Sequence, residues 1–263
     1  MNQKNQDILI LIPHGGYQVP EELKDYIILE KHDIFLEADT GAIELFSFPD
    51  TRAHYLHTDI SRLFIDLDRP YTALKSNSRS VINKMTSRNK DIFLPDHFPD
   101  EIALANILKR HYFPFHETAE KIINTGQIKL ILDCHTVSAS APSSGAPRPL
   151  FTVQNRLLDD VPVNPCAPDD TAERFLELLK KKFSREKGTV SARFSLNHPL
   201  FESYIMKKYC TSGIPIIKLS VSRSLFLNEQ HFNFDFLKID EIRLKTLRDR
   251  LWECIEAVAD FKE

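Results

Sequence analysis

The sequence predicts an α/β fold with one mixed, mostly parallel sheet and helices on both faces. Its 263 residues are within the range of single α/β domains, which often reach ~250 residues, so we expect residues 1–263 to form one domain. Short, continuous apolar runs are typical of strands buried on both faces. Helical patterns alternate with these runs, as in sheets that helices cover on both sides.

The first half of the chain predicts two strands and two short helices. Residues 8–12 (ILILI) and 62–67 (RLFIDL) are the apolar runs that predict strands. Pro20, followed by two glutamates, predicts the start of one short helix, because proline and acidic residues favour a first turn. Asp39 precedes AIELF, so it is a plausible N-cap of the second helix.

The middle of the chain predicts a long loop, a kinked helix and a central strand. Residues 71–98 are polar and predict a long excursion with little regular structure. Residues 99–125 predict a helix that is interrupted or kinked at Pro114. Residues 128–135 (IKLILDCH) form the clearest central strand, because they are apolar and end in polar groups.

The last third continues the alternation of strands and helices. Capping residues and apolar spacing support its helices, and apolar runs support its strands. The predicted elements are strands at 150–155, 188–194 and 214–223 and helices at 168–188, 201–210 and 236–260.

Composition and charge exclude several classes of protein. Hydrophobic residues make up 42% of the chain and charged residues 27%, which excludes a disordered or fibrous protein. The net charge of −3 gives no overall attraction to nucleic acid or to an anionic membrane, so we expect neither partner.

The cysteines and the N-terminus predict the cellular environment. Four cysteines (Cys134, Cys166, Cys210 and Cys254) lie far apart, which supports neither a zinc ribbon nor a dense disulfide scaffold. The apolar run at 8–12 is too short for a signal-peptide core or a membrane span. We therefore expect a cytoplasmic chain with reduced cysteines.

Histidines and arginines cluster at the predicted strand ends, where ligands bind in open α/β sheets. His14 follows the strand at 8–12, His135 ends the strand at 128–135, and Arg69 and Arg223 follow two other strands. Histidines on two central strands indicate a metal or catalytic pair. The alternative is that both are hydrogen-bonded structural residues.

A hydrolytic zinc site needs three nitrogen or oxygen ligands and an open fourth position. His14 and His135 supply two candidates, and Asp39 or Glu37 is the candidate for the third. Asp133 lies two residues before His135, on the same strand face. It is either a ligand or an acceptor that orients an imidazole.

Several segments together resemble the N-formylglutamate amidohydrolase family. The resemblance spans most of the chain, and the segments occur in the family's order and spacing. Two of them, IDLDRP and D-x-H-T, are also similar to segments of zinc carboxypeptidases. The segments are PHGGYQVP (13–20), EADTGAIELF (37–46), SRLFIDLDRP (61–70), RHYFPFH (110–116), LILDCHTV (130–137), NHPLFESYI (197–205) and KLSVSRSLFLNE (218–229).

The resemblance implies a phosphorylase/hydrolase-like fold and a zinc-dependent hydrolase, with another divalent metal as an alternative. Its substrate would be a small N-acyl amino acid such as N-formylglutamate. His14, Asp39 and His135 map onto metal ligands. Residues that map onto substrate-binding groups are Arg62, Arg69, Arg223 and His116, with a structural ion pair as the alternative for Arg62.

Four positions depart from the family's pattern. Ser220 stands where the family usually has a glutamate that would act as general base, and Glu202 stands where it usually has glycine. Both are candidate catalytic positions, because Glu202 could replace the missing base. Gly15 replaces a serine, and Asp68 replaces an asparagine beside Arg69. The alternative to an enzyme is a degenerate family member that binds a small carboxylate ligand without turnover.

Overall fold

The structure is a computed structural model that describes residues 6–48, 52–74, 80–141, 144–158, 165–186 and 193–261. Six of its strands form one sheet: β1 (Ile8–Ile12), β2 (Ala53–His57), β3 (Leu130–Val137), β4 (Phe151–Gln154), β5 (Phe194–Leu196) and β6 (Ile216–Ser222). Their order is β2-β1-β3-β6-β4-β5. Only the β4–β6 pair is antiparallel, so the predicted mixed, mostly parallel sheet is confirmed.

Helices and a small hairpin complete the described chain. The α-helices are α1 (Lys31–Glu37), α2 (Ala42–Phe46), α3 (Glu101–Ile107), α4 (Phe113–Ile123), α5 (Asp169–Phe183), α6 (Tyr204–Tyr209) and α7 (Glu241–Ala259). Short 3-10 helices span Glu21–Tyr26, Cys210–Ser212 and Arg223–Leu225, and β7 (Phe232–Asn233) pairs with β8 (Lys238–Ile239).

The sheet separates two apolar cores. Ile8, Ile10 and Ile12 of β1 point to one face, which α2, α5 and α7 cover. Leu9 and Leu11 point to the other face, where residues 60–67, α3, α4 and α6 pack. Because both faces are covered, β1 is apolar at every position, as the continuous ILILI run predicts.

The predicted strand at 62–67 is wrong. These residues form turns, in which the Ser61 carbonyl accepts hydrogen bonds from Phe64 and Ile65. Leu63, Phe64 and Ile65 are buried in the second core. The run is therefore apolar because its side chains pack in that core, and not because its backbone pairs with another strand. The strand beside β1 is instead β2, an edge strand with partly exposed side chains.

The long helix is interrupted just before Pro114. A π-helical turn (Leu108–Tyr112) separates α3 from α4, and Phe113 donates to the Leu108 carbonyl. Pro114 lies in the first turn of α4, where its missing N–H is tolerated. The predicted interruption therefore takes the form of a π-bulge, a known source of helix kinks.

The other predicted helices and strands are compared with the structure by their positions, and their ends differ from the predicted ones. Within the described part of 71–98, no helix or strand forms beyond isolated bridges. Most of the predicted strand at 188–194 lies outside the described residues, and β5 begins at Phe194. The last helix begins at Glu241, because the Asp240 side chain caps it by accepting from Ile242 and Arg243.

Cys166 and Cys210 form a disulfide, which corrects the expectation that all four cysteines are reduced. The two residues are distant in sequence, but the chain path before α5 and after α6 brings them together. Cys134 and Cys254 are free and buried. Among the described residues, no helix has the length and apolar character needed to cross a membrane.

Candidate active site

Hydrogen bonds to backbone carbonyls draw three chain segments together at the carboxyl end of the sheet. His14 follows β1, and its carbonyl accepts a hydrogen bond of 2.9 Å from the Asp39 N–H. The Thr136 hydroxyl of β3 donates to the Thr40 carbonyl over 2.9 Å. These two bonds fix the turn between α1 and α2 against β1 and β3, so Asp39 lies beside His14 and His135.

The two glycines after His14 are required by close packing. A Cβ on Gly16 would lie 2.2 Å from the Asp59 carbonyl carbon, which leaves no room for a side chain. A Cβ on Gly15 would lie 2.6 Å from Cγ1 of Ile43. The serine that the family usually has at position 15 would collide with Ile43, which accounts for this departure.

His14, Asp39 and His135 form a buried cluster that fits a divalent metal. Asp39 Oδ2 lies 2.8 Å from His135 Nδ1 and 3.7 Å from His14 Nδ1. Among the described residues His14 Nδ1 has no hydrogen-bond partner, although it is buried. A buried polar atom without a partner is costly, and two imidazole nitrogens with one carboxylate are a donor set that zinc accepts.

A second carboxylate contacts the other nitrogen of each imidazole. His14 Nε2 lies 2.7 Å from Asp66 Oδ1, and His135 Nε2 lies 2.9 Å from Asp133 Oδ1. Carboxylates in this position orient metal-binding histidines and fix their tautomer. Asp133 therefore lies behind His135, on the side away from Asp39.

The charges of the cluster are strongly coupled. Burial lowers the pKa of His135, but the Asp133 and Asp39 carboxylates outweigh it and raise that pKa to about 9. Burial raises the pKa of Asp39, but its contacts with His135 and His14 hold it well below the usual range. The negative charge that keeps a proton on His135 is equally suited to a divalent cation.

Lys218 of β6 is a buried cation behind the cluster. In register it lies opposite Asp133, and its Nζ lies 3.0 Å from Asp68 Oδ2, 3.1 Å from Asp133 Oδ2 and 2.9 Å from His135 Nε2. Burial lowers the pKa of Lys218, but Asp133 and Asp68 raise it above its usual value. Asp68, Asp133 and His135 also have spacing suited to a metal, and the lysine ammonium occupies that position.

Asp68 is hydrogen-bonded to groups other than Arg69. Its carboxylate accepts hydrogen bonds from Ser203, the Ile205 N–H and Lys218. Asp68 thus introduces a negative charge where the family has asparagine, and Lys218 balances that charge.

The arginines beside the cluster have different partners: two of them pair with carboxylates, and one donates to backbone carbonyls. Arg62 Nη2 lies 3.0 Å from Asp66 Oδ2, and Arg69 Nη1 lies 2.6 Å from Glu202 Oε2. Arg223 donates to the Leu36 and Ala38 carbonyls. Glu37 accepts hydrogen bonds from the Ser87 N–H and hydroxyl, whereas Asp39 contacts both histidines and is the acidic residue of the cluster.

These residues line a cavity of about 760 Å³. His14, Asp39 and His135 lie in its wall, together with cationic and anionic side chains and with Ser220, which pairs with His135 in register. The other predicted site residues in the wall are Arg62, Arg69, Arg223 and Glu202. The cavity is thus a polar pocket for a small, charged molecule.

Comparison with known proteins agrees with this geometry. The family model for N-formylglutamate amidohydrolase matches residues 6–227. The chain belongs to the N-formylglutamate amidohydrolase family. Family membership supports an amidohydrolase activity.

Two of the matching solved structures have the same fold as this family member. An N-formylglutamate amidohydrolase from Ralstonia eutropha JMP134 is 14% identical, with a TM-score of 0.72 over 98% of this chain and 94% of that chain. A gene product from Agrobacterium tumefaciens is 16% identical, with a TM-score of 0.64 over 96% and 92%. A metallo-carboxypeptidase from Burkholderia cenocepacia is more distant, at 12% identity and a TM-score of 0.39 over 98% and 58%. No curated protein sequence matches significantly.

His116 is the predicted substrate-binding residue that lies elsewhere in this family member. It is buried in α4, where its Nδ1 lies 3.4 Å from the Tyr209 hydroxyl and its ring lies 4.5 Å from that of Tyr112. It is outside the residues that line the cavity. The segment RHYFPFH therefore contributes to the packing beneath the site.

Three residues of the site are not predicted from the sequence: Asp66, Arg148 and Lys218. Lys218 carried a signal, because a lysine inside an apolar strand is buried only when it is paired. Asp66 lies within the apolar run at 62–67 that predicts a strand, so the sequence does not show its contact with His14. Arg148 lies in a loop, and its approach to the cavity depends on the antiparallel direction of β4.

Proposed function

We propose that this family member is a zinc-dependent hydrolase that cleaves the amide bond of an N-acyl amino acid. The observation that carries the proposal is the convergence of His14, Asp39 and His135, with His14 Nδ1 buried and without a hydrogen-bond partner among the described residues. These three side chains would hold the metal. A bound zinc ion lowers the pKa of a water ligand and polarises the substrate carbonyl.

The chain's own residues then position the substrate and move the proton. Arg62 Nη1 lies 4.0 Å from Asp39 Oδ1, and we assign it to stabilise the negative charge that develops on the carbonyl oxygen. We assign proton transfer to the carboxylate of Glu202. Its side chain is 45% exposed at the cavity, and Arg69 fixes its direction.

Hydrolysis of a panel of N-acyl amino acids, N-formylglutamate included, tests this proposal. We expect turnover that chelation abolishes and zinc restores, and that His135→Ala eliminates. Glu202→Gln should lose about 10²–10⁴-fold in rate while keeping its metal. Glu173→Gln, at an exposed position of α5, is the matched control. Rates that ignore metal removal and survive His135→Ala would contradict the mechanism.

A second candidate function is ligand binding without turnover. Ser220 favours it, because a serine hydroxyl without a base cannot take a proton from water as a carboxylate does. Ser220→Glu separates the two functions. A large gain from near-zero turnover indicates a degenerate enzyme, whereas robust wild-type turnover that depends on Glu202 indicates an active one.

A further inference from the structure

We infer that a second pocket, beside the candidate active site, binds the acyl chain of the substrate, and that this chain is an apolar group of several carbons. The pocket has a volume of about 290 Å³. The inference rests on the proposed function, since it specifies the acyl group of the N-acyl amino acid. It departs from the formyl group that the family resemblance implies.

The second pocket shares walls with the cavity of the candidate active site. Arg69, Leu158 and Glu202 line both spaces. The ion pair between Arg69 Nη1 and Glu202 Oε2, at 2.6 Å, therefore lies at the boundary between them. Because the two spaces adjoin at these side chains, one ligand can occupy both.

The walls of the second pocket are largely apolar. Beyond the boundary it is lined by Pro70, Leu157, Leu158, Ser203, Tyr204 and Lys207. The Ser203 hydroxyl already donates to Asp68 and Asp133. Lys207 is exposed, and an exposed lysine keeps its charged end in water while its carbon stem covers apolar surface. The pocket thus offers apolar contacts rather than free polar partners.

Hydrogen bonds and a cross-link fix the two chain segments that form this pocket. One segment follows β4, and the other leads into α6. Gln154 Nε2 donates to the Arg156 and Phe201 carbonyls over 2.9 and 2.8 Å, and Gln154 Oε1 accepts from the Phe201 N–H over 2.9 Å. The disulfide between Cys166 and Cys210 joins the same two parts of the chain. A pocket that is already ordered loses less conformational entropy when a ligand binds.

The two spaces match the two ends of an N-acyl amino acid. The charged, amino-acid end favours the polar cavity, because moving a carboxylate into an apolar pocket is costly. The acyl chain has no charge, and each methylene that it buries can raise the affinity by up to about fourfold. The pocket of 290 Å³ accommodates several carbons, since one water molecule takes up about 30 Å³ in the liquid. A formyl group would leave it empty.

Binding of ketone analogues, measured by isothermal titration calorimetry, tests the pocket without requiring turnover. In these acids a methylene replaces the amide nitrogen, so they cannot be hydrolysed. The short reference is 4-oxopentanoate. Its longer analogue, 4-oxononanoate, extends the chain on the acyl side of the carbonyl. The isomer 2-butyl-4-oxopentanoate carries the same added carbons on the amino-acid side.

Two leucine variants provide the matched comparison. Leu158→Gln makes one wall of the pocket polar. Leu74→Gln is the control, because Leu74 and Leu158 are 42% and 48% exposed and Leu74 lies outside the walls of both spaces. The measured quantity is the ratio of the affinities for 4-oxononanoate and 4-oxopentanoate within each chain. Circular dichroism melting shows that each variant is folded.

We expect the wild type to bind 4-oxononanoate about tenfold or more tightly than 4-oxopentanoate. The 2-butyl isomer should bind with nearly the affinity of 4-oxopentanoate. Leu158→Gln should lower the ratio by about threefold or more, whereas Leu74→Gln should keep the wild-type ratio.

Several results overturn the inference: failure of the wild type to bind 4-oxononanoate, equal affinity for the long and the short analogue, the same gain from the 2-butyl isomer, or a wild-type ratio in Leu158→Gln. A preference for the long acyl side in a chain without turnover would leave the pocket assigned and remove only the hydrolase proposal. Turnover confined to N-formyl amino acids would support the hydrolase and overturn the assignment of the pocket.

Discussion

Lys218 shows how a single residue changes the electrostatics of the site. Its ammonium lies between Asp68 and Asp133, and all three side chains are buried. Removing one partner of a buried ion pair leaves an uncompensated charge, which costs about 3–5 kcal/mol. The contributions of Asp68 and Lys218 to the free energy of unfolding are therefore expected to depend on each other, although the two residues are distant in the sequence.

A double-mutant cycle tests this dependence. Lys218→Gln should lower the free energy of unfolding by about 3 kcal/mol, and Asp68→Asn should also lower it. The double variant should lose less than the sum of the two, with a coupling of about 0.5–3 kcal/mol. Urea unfolding measures all three changes.

The exposed pair Lys245 and Asp249 provides the control for this cycle. Its side chains are 65% and 53% exposed, so the corresponding cycle should show a coupling below about 1 kcal/mol. Strictly additive costs at Lys218 and Asp68 would show that the two residues act independently.

Among the helices, α4 contains a titratable group in an apolar environment. His116 is buried against aromatic side chains of the π-helical turn and α6. Burial, with a further contribution from Lys208, lowers the pKa of His116 to about 3. The folded chain thus keeps this imidazole neutral at a pH where the unfolded chain protonates it.

This difference predicts a pH dependence of stability. Between pH 6.5 and about pH 3 the unfolded state binds a proton that the folded state does not. The free energy of unfolding therefore falls as pH falls, by up to about 1.4 kcal/mol per pH unit from this group. His116→Gln should remove that part of the slope in urea unfolding between pH 7 and pH 4. His32→Gln, at an exposed position of α1, should keep it; equal slopes for wild type and His116→Gln would contradict the assignment.

The elements also show what sequence patterns can and cannot predict. β1, β3 and β6 are central strands buried on both faces, so their apolar runs identify them. Residues 62–67 have the same pattern because they are also buried, and composition alone does not separate a buried turn from a buried strand. The segment of β2 is strand-like in sequence, but its side chains are partly exposed and it has no continuous apolar run, so it is not among the predicted strands.

In the site, His14 and His135 can be predicted from the sequence, because local sequence shows where a strand ends and which residues lie there. Arg148 and Lys218 depend on which strands become neighbours, and that is a property of the whole sheet. The sheet order places β6 beside β3, which brings Lys218 to Asp133. No local pattern contains this information.

At the scale of the whole molecule, the disulfide between Cys166 and Cys210 links the segment before α5 to the end of α6. The two cysteines are 44 residues apart, and a cross-link of that length stabilises the folded state by about 4 kcal/mol in the chain-entropy model. We expect reductant to lower the melting temperature of the wild-type chain. We expect no such effect on a variant with both Cys166→Ser and Cys210→Ser.

Thiol titration provides a second readout for the disulfide. The denatured, unreduced chain should expose two thiols, from Cys134 and Cys254, and the reduced chain four. Four thiols without reductant, together with a melting temperature that reductant does not change, would contradict the pairing.

Zinc binding by the purified chain decides whether His14, Asp39 and His135 act together as one site. We would measure zinc content and affinity for the wild type, His14→Ala, His135→Ala and the exposed control His32→Ala. We predict one tightly bound zinc ion per chain in the wild type and in His32→Ala, and its loss in both cluster variants. Zinc bound by His14→Ala and His135→Ala as tightly as by the wild type would contradict the proposed metal centre. The absence of a tight zinc site in the wild type would also contradict it.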